Sequence, residues 1–319
     1  MAWLPDRGFR GPERPTVRDI DALNRIFAES FTDRYRRDGL VGVRVPYLNP
    51  LVWRYALEDA GDGAMVWRDA DGRLTGFNMV HHSGTEGWMG PLAVRPDRQS
   101  DGLGKAMVQS GIDWLKGRGA TTIGLETMPR TVDNIGFYSR LGFVPRHLTV
   151  TLTRDLPRRL ATAVELLSHA GTRGVVLDEC RALTAGLAPG TDFTREIALT
   201  ADLRIGDTVL VRQDARLCGF ALWHSAPLAE GRGSDEVRVL KLVAESGTAF
   251  DRVVAAVQGA AAHEGIRRVA LRCQTAFEDA YGRLVDAGFR VHWTDLRMTL
   301  AGYDEVRRER GVVLSNWEI

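Results

Sequence analysis

The run Val94-Arg95-Pro96-Asp97-Arg98-Gln99-Ser100-Asp101-Gly102-Leu103-Gly104 has the residue types to hold an anion. It lies between the strand-like Leu92 to Val94 and a helix-like stretch whose inner face carries Leu103, Met107, Gly111, Trp114 and Leu115. Glycines at 102 and 104 let a ligand come close to the main chain. The unpaired N–H groups of the first helical turn, and the positive end of the helix dipole, then face it. A phosphate group suits that arrangement. So does a plain tight strand-to-helix connection, and the loop alone does not decide between the two.

A second motif follows at Asn134-Ile135-Gly136-Phe137-Tyr138-Ser139-Arg140-Leu141-Gly142-Phe143. The two together resemble the GNAT superfamily of N-acetyltransferases. Gln99, Gly102 and Gly104 match the three fixed positions of its pyrophosphate loop, and Asn134, Tyr138 and Gly142-Phe143 match its later signature. The resemblance implies acetyl-CoA as co-substrate, its pyrophosphate on Gln99, Ser100, Asp101, Gly102, Leu103, Gly104 and Lys105. It also implies a sheet splayed between its fourth and fifth strands, with the pantetheine arm against Leu92, Ala93, Val94 and Asn134. Tyr138 takes the role of proton donor to the departing thiolate. A phenol of ordinary pKa about 10 is protonated near neutrality and suited to that task.

The expected chemistry is direct transfer through a tetrahedral intermediate, with a backbone N–H polarising the thioester oxygen and with neither an acyl-enzyme nor a metal. An amine arrives mostly as ammonium and must lose a proton before it attacks. Glu126, in Leu125-Glu126-Thr127, resembles the base Glu of the ribosomal-protein N-terminal acetyltransferases, although the Arg that often follows it there is absent. His81, His82 and Glu86 are rival bases. Glu29, Asp33 and Tyr35, on or just after the first helix, and His81 are candidates for the acceptor side.

These residues need elements to place them. Ile20, Leu23, Ile26 and Phe27 recur at helical spacing from Val17 to Phe31, with Asp19 available to open the helix. Residues 64–68 and 74–82 read as strands around an Asp71-Gly72 turn, Thr121 to Thr127 as a strand, Val132 to Leu141 as a helix, and Leu148 to Leu152 as a last strand. The fold class is α/β (α+β): two tandem GNAT folds, each a mixed, mostly antiparallel central sheet flanked by helices.

The tandem reading comes from sliding the chain on itself. A shift of 146 carries Gly142-Phe143 to Gly288-Phe289, Gly119 to Gly265 and Leu125 to Leu271, while a shift of 143 carries Arg73 to Phe77 onto Arg216 to Phe220. The expected division is a catalytic domain over 1–154, a linker region with a helix-like stretch over 155–174, and a degenerate copy over 175–319. At the same shift Glu126 becomes Arg272, Asn134 becomes Ala280, Tyr138 becomes Leu284, Gly102 becomes Thr248 and Gly104 becomes Phe250. The second half is therefore expected to be silent, and to shape the acceptor pocket or support a dimer. Tandem family members resemble this layout, with the C-terminal half as their working one.

Among 319 residues, 44% hydrophobic and 26% charged with a net charge of +1, there is apolar material for two cores and no field to draw the chain onto nucleic acid or anionic lipid. Cys180, Cys218 and Cys273 stand too far apart for a metal motif and read as free thiols. With Asp6, Arg7 and Arg10 near the start and no long apolar run, the expected location is cytoplasmic and no membrane is expected as a partner. The expected partner is a small-molecule amine, with a homodimer allowed. Protein N-terminal or lysine acetylation, and non-catalytic acyl-CoA binding, remain alternatives.

Overall fold

The computed structural model describes residues 8–157, 164–306 and 310–316. The first half runs β1 (Arg10–Glu13), α1 (Ile20–Arg37), α2 (Pro50–Ala60), β2 (Ala64–Arg68), β3 (Leu74–Ser83), β4 (Glu86–Val94), α3 (Leu103–Gly117), β5 (Thr122–Thr127), α4 (Val132–Arg140) and β6 (Phe143–Asp155). The second runs β7 (Glu165–Leu166), α5 (Arg173–Leu187), α6 (Thr194–Leu203), β8 (Gly206–Gln213), β9 (Arg216–His224), β10 (Glu236–Ala244), α7 (Gly247–His263), β11 (Arg268–Gln274), α8 (Glu278–Asp286), β12 (Arg290–Leu300) and β13 (Val312–Ser315).

Local chemistry explains the main boundaries. Thr16 and Asp19 form a reciprocal capping box on a short 3-10 turn that leads into α1, so the helix starts later than Val17 and extends to Arg37. Asp69 accepts from the N–H groups of Asp71 and Arg73, and Gly72 takes φ +80, which closes the β2–β3 hairpin as expected. One expectation fails. Val164 and Leu167 have helical spacing, yet Glu165–Leu166 pairs with Val209 and Leu210 as strand β7. Most of the expected helix-like stretch, 158–163, lies outside the described residues.

The 146-residue offset is exact in the structure from β5 onward: α4 at 132–140 shifts onto α8 at 278–286, and Gly142 (φ +92) onto Gly288 (φ +86). Upstream the shift is not constant: it is 143 at β3 (Leu74 to Leu217), 150 at β4 (Val94 to Ala244) and 146 again along α3 (Leu103 to Ala249). The β3–β4 turn, Gly84-Thr85, becomes the longer connection 225–235, which forms a bridge from Ala229 to Leu48 of the first half.

All described strands join one sheet, in the order β1-β2-β3-β4-β5-β12-β6-β11-β10-β9-β8-β7, with β13 pairing with β10 off that path. At its centre the halves exchange strands. β12 runs antiparallel to β5, pairing Arg297 with Glu126 and Met298 with Leu125, and β6 runs antiparallel to β11, pairing Leu152 with Leu271. Each half therefore closes its sheet with the other's last strand, and the cores follow. Met298 and Leu300 pack with Met89, Met107, Leu125 and Tyr138, while Val150 and Leu152 pack with Val253, Val269 and Leu271.

Helices α3 and α4 cover one face of the first half, and α1 and α2 the other. Buried carboxylates link the halves on the α1–α2 side, one of them through the half-exposed Arg195. Arg195 of α6 donates to Asp59 of α2 at 2.9 Å, and Ser83 of β3 donates to Glu196 of α6. Such pairs fix how the halves meet more than they add stability. The three cysteines are buried free thiols. No helix among the described residues is long and apolar enough to cross a membrane.

Candidate active site

The site is built where β4 and β5 part. They pair in parallel only from Glu86–Thr122 to Met89–Leu125. Beyond Met89, β4 continues against β3 through Leu92, Ala93 and Val94, while β5 turns into β12. A bulge helps the strands separate, because Gly90 and Pro91 together face one residue of β3 between Asn78–Leu92 and Val80–Met89. This leaves β4 backbone from Gly90 to Val94 as one wall of a notch.

The anion loop lies at the end of that wall. Gln99 reaches back to the Val94 carbonyl at 3.3 Å, and Ser100 and Gly102 take left-handed φ values of +75 and +80 around Asp101. Only glycine holds the second of these without strain. The first backbone bond into α3 is Ala106 N–H to Gly102 O, so the amides of Leu103, Gly104 and Lys105 precede the helical ladder and suit an anion. The Leu103 side chain is core, which leaves its backbone for a ligand. A Cβ at Gly104 would meet Phe137 and Val94 only at ordinary contact distance, 3.6 and 3.9 Å. A methyl group is thus tolerated there, and Gly104→Phe is expected to lose coenzyme A uptake in calorimetry; tight uptake by that variant would refute the loop assignment.

Tyr138, on α4, is buried among Met89, Leu103, Leu125 and Phe143 on the α3 side of the notch. Burial alone pushes its hydroxyl up to about 12, so the group is a proton donor throughout the neutral range. Asn134 lies one turn earlier and hydrogen-bonds weakly to Thr127 Oγ1, at 3.5 Å, tying α4 to the end of β5.

Glu126 is held otherwise than an open base requires. Its Oε1 accepts from Arg297 at 2.7 Å and from Thr149, and its Oε2 accepts from Arg272. Burial acts to raise its pKa, but the charges of Arg272 and Arg297 outweigh burial and the net shift is downward. The expected base is an anchored anion. Its second-half counterpart at the 146-residue shift, Arg272, is itself one of the clamps. Arg297 is fully buried, lies 3.6 Å from the centre of the Trp88 ring, and is gripped from its other side by Glu305 at 2.8 and 2.9 Å. Trp88 in turn rests on Gly124, where a Cβ would stand 2.3 Å from the ring. Gly124→Ala should therefore lower stability by about 1–3 kcal/mol in urea unfolding.

The rival bases do not replace it. Both ring nitrogens of His81 are engaged, by Asp59 Oδ2 at 2.5 Å and the Gly90 carbonyl at 3.0 Å, so His81 props up the β4 bulge. His82 points to the opposite face, against Trp114 of α3. Glu86 is buried at the closed end of the β4–β5 pair. Of the acceptor-side candidates, Glu29 is exposed and Asp33 pairs with Arg36 and Arg37, whereas Tyr35 meets Trp293 of β12 with ring centres 6.2 Å apart. Sequence reasoning missed Trp293, Asp295 and Arg297, because nothing in their spacing ties β12 to the first half.

The second half has lost its loop outright. Eight residues, 95–102, join β4 to α3, but only Glu245 and Ser246 join β10 to α7. At the 146-residue shift the inner faces of α3 and α7 stay in register, Leu103 with Ala249, Met107 with Val253 and Leu115 with Ala261, so Gly104 is replaced by the buried Phe250 as expected, while Thr248 stands inside α7 and the connection ahead of the helix is shortened. The Ser246 side chain caps the Ala249 amide, and Glu245 pairs with Arg216. The matching notch is filled as well. β10 and β11 pair only as far as Val239–Leu271, and Lys241 to Ala244, which correspond to Pro91 to Val94, are paired with β13. Among the described residues no cluster suited to a metal ion is present.

Residues 20–143 match the family model described as "Acetyltransferase (GNAT) family". A mycothiol acetyltransferase of Clavibacter michiganensis subsp. michiganensis is 37% identical over 79 residues, which is 25% of this chain and 26% of that protein. The chloroplastic serotonin N-acetyltransferase 2 of Oryza sativa subsp. japonica is 32% identical over 143 residues, 44% of this chain and 64% of that protein. The match thus spans about a quarter of the first relative's length and less than two thirds of the second's. A solved tandem GNAT protein from the clavulanic acid biosynthesis pathway superposes with TM-score 0.59 at 14% identity, over 91% of this chain and 97% of that one, which establishes the two-GNAT fold.

Proposed function

We propose that this chain, whose residues 20–143 belong to the GNAT family of acetyltransferases, transfers an acetyl group from acetyl-CoA to the amine of a small molecule in the notch of its first half. The observation that carries the reading is the contrast between the two notches. In the second half β13 occupies the strand edge as a backbone partner; in the first, the equivalent edge at Pro91 to Val94 lies beyond the end of the β5 pairing and leads straight to the Gly102 loop. A pantetheine arm has the amide groups to pair with such an edge, and its pyrophosphate would then meet the first turn of α3.

In this arrangement the backbone N–H groups of β4 stabilise charge on the thioester oxygen, and Tyr138 supplies the proton to the leaving sulfur. The second half contributes fold and wall: β12 brings Trp293, Asp295 and Arg297 to the acceptor side, and no anion loop remains between β10 and α7. Likeness to a serotonin N-acetyltransferase supports a small-molecule acceptor. Calorimetry with coenzyme A, followed by thiol release from acetyl-CoA across an amine panel, tests the proposal. Absence of coenzyme A uptake would end it.

A further inference from the structure

Acetyl transfer needs a nitrogen with a free electron pair, and near neutrality an alkyl amine carries a proton there instead. Something must take that proton or the amine must arrive without it. Among the described residues, the buried carboxylates that β5 and β12 bring to the notch already serve other donors, while Glu29 of α1 lies exposed at the surface near Arg95. Glu126 Oε1 has two of them, Thr149 and Arg297, and Oε2 has Arg272. Asp295 of β12 accepts from Arg272 at 2.9 Å and from Trp293 Nε1 at 3.3 Å.

The surrounding elements repeat the pattern. Glu305, after β12, is bound by Arg297 and by His147 of β6. Asp38, after α1, accepts from Arg34 and Thr131. On β3 and α2, His81 is spent between Asp59 and the Gly90 carbonyl, and Asp59 also takes Arg195. The remaining charged groups on this face are remote from the opening. Glu86 sits at the closed end of β4, beside Ser315. Glu196, raised to about 7 by burial and by the Asp59 charge, is bonded to Ser83 at that same closed end, and Lys241 is buried against Asn316.

We infer that the acceptor enters as the free base and that the site favours amines of low basicity, such as an arylamine or an α-amine, over alkyl amines, because Arg272 and Arg297 of the second half withdraw Glu126 from proton transfer. This rests on the acetyl-transfer reading above. The proton balance then closes without a separate base. The neutral nitrogen attacks the carbonyl carbon, the C–N bond forms and the C–S bond breaks. Tyr138 gives its proton to the sulfur, and its phenolate takes the proton that the nitrogen sheds.

The experiment is the pH dependence of kcat/KM for the full chain, by thiol release, with an arylamine, an α-amine and an alkyl amine. The rate constant should rise tenfold per pH unit below each acceptor's own pKa, with midpoints near about 8 for the α-amine and about 10.4 for the alkyl amine, and stay flat near neutrality for the arylamine. A single midpoint shared by all acceptors would mean that a group of the enzyme takes the proton, and would overturn the inference while leaving acetyl transfer standing. In Glu126→Gln the midpoint should still follow the acceptor, and loss of the pH limb in that variant would count against the inference. The wild-type comparison stands even if this variant does not fold. Absence of coenzyme A uptake would remove the acetyl-transfer reading and this inference together.

Discussion

Tyr138→Phe loses about a hundredfold or more in turnover while its coenzyme A affinity, by calorimetry, stays near that of the parent. The substitution removes one hydroxyl from a side chain that otherwise packs among Met89, Leu125 and Phe143, so the core keeps its shape. General-acid groups contribute about 10²–10⁴ in rate, and an interaction made only as the sulfur departs is lost from kcat and not from ground-state binding. Unchanged turnover would remove Tyr138 from the mechanism. A large loss of coenzyme A binding would instead make the tyrosine part of the cofactor wall.

The second large effect is on stability. Arg297→Met removes the cation that Glu126 and Glu305 share, leaving Glu305 without its principal partner and Glu126 with Arg272 and Thr149 alone at the junction of the halves. Breaking a buried pair from one side costs about 3–5 kcal/mol, and urea unfolding should show a lowered midpoint of that order. Both carboxylates have folded pKa values below their unfolded ones: burial pulls upward, but the arginines prevail. Their stabilisation is therefore present above the unfolded carboxylate range, about 4.3, and is lost as pH falls toward the depressed folded values. The acid limb of the parent's stability curve should flatten in the variant. Equal midpoints for parent and variant would show that the clamp carries little energy.

Much of the first half was legible because its signals are local. Asp19 before α1, the Asp71-Gly72 turn, the Gly102 loop and the helix bearing Asn134 and Tyr138 each depend on neighbours within one or two turns of chain. The offset of 146 was legible too, since the strand, helix and exit-turn residues recur at fixed spacing. What it could not convey was proximity. Glu126 and Arg272 are equivalent positions that touch, and that contact arises only once β12 and β6 have crossed between the halves. The charge reversal between them is the one trace this leaves in the sequence.

The same limit hid the fate of the second anion loop. A constant shift carries Gly104 onto Phe250 but does not convey the shortened connection before α7, because the longer connection 225–235 offsets the residues lost there. β7 was missed for a simpler reason: apolar residues three or four apart also occur by chance beside a two-residue strand.

The crossing of β6 and β12 makes the molecule indivisible in a practical sense. A fragment stopping after β6 would expose β5 where β12 belongs, while the complementary fragment would leave β11 open along the edge that β6 covers. Neither piece would be an enzyme on its own bench, yet the two made together in one cell would have every strand required to find each other. Grafting a foreign catalytic module onto this chain would likewise fail unless its final strand were carried along as a gift to its neighbour.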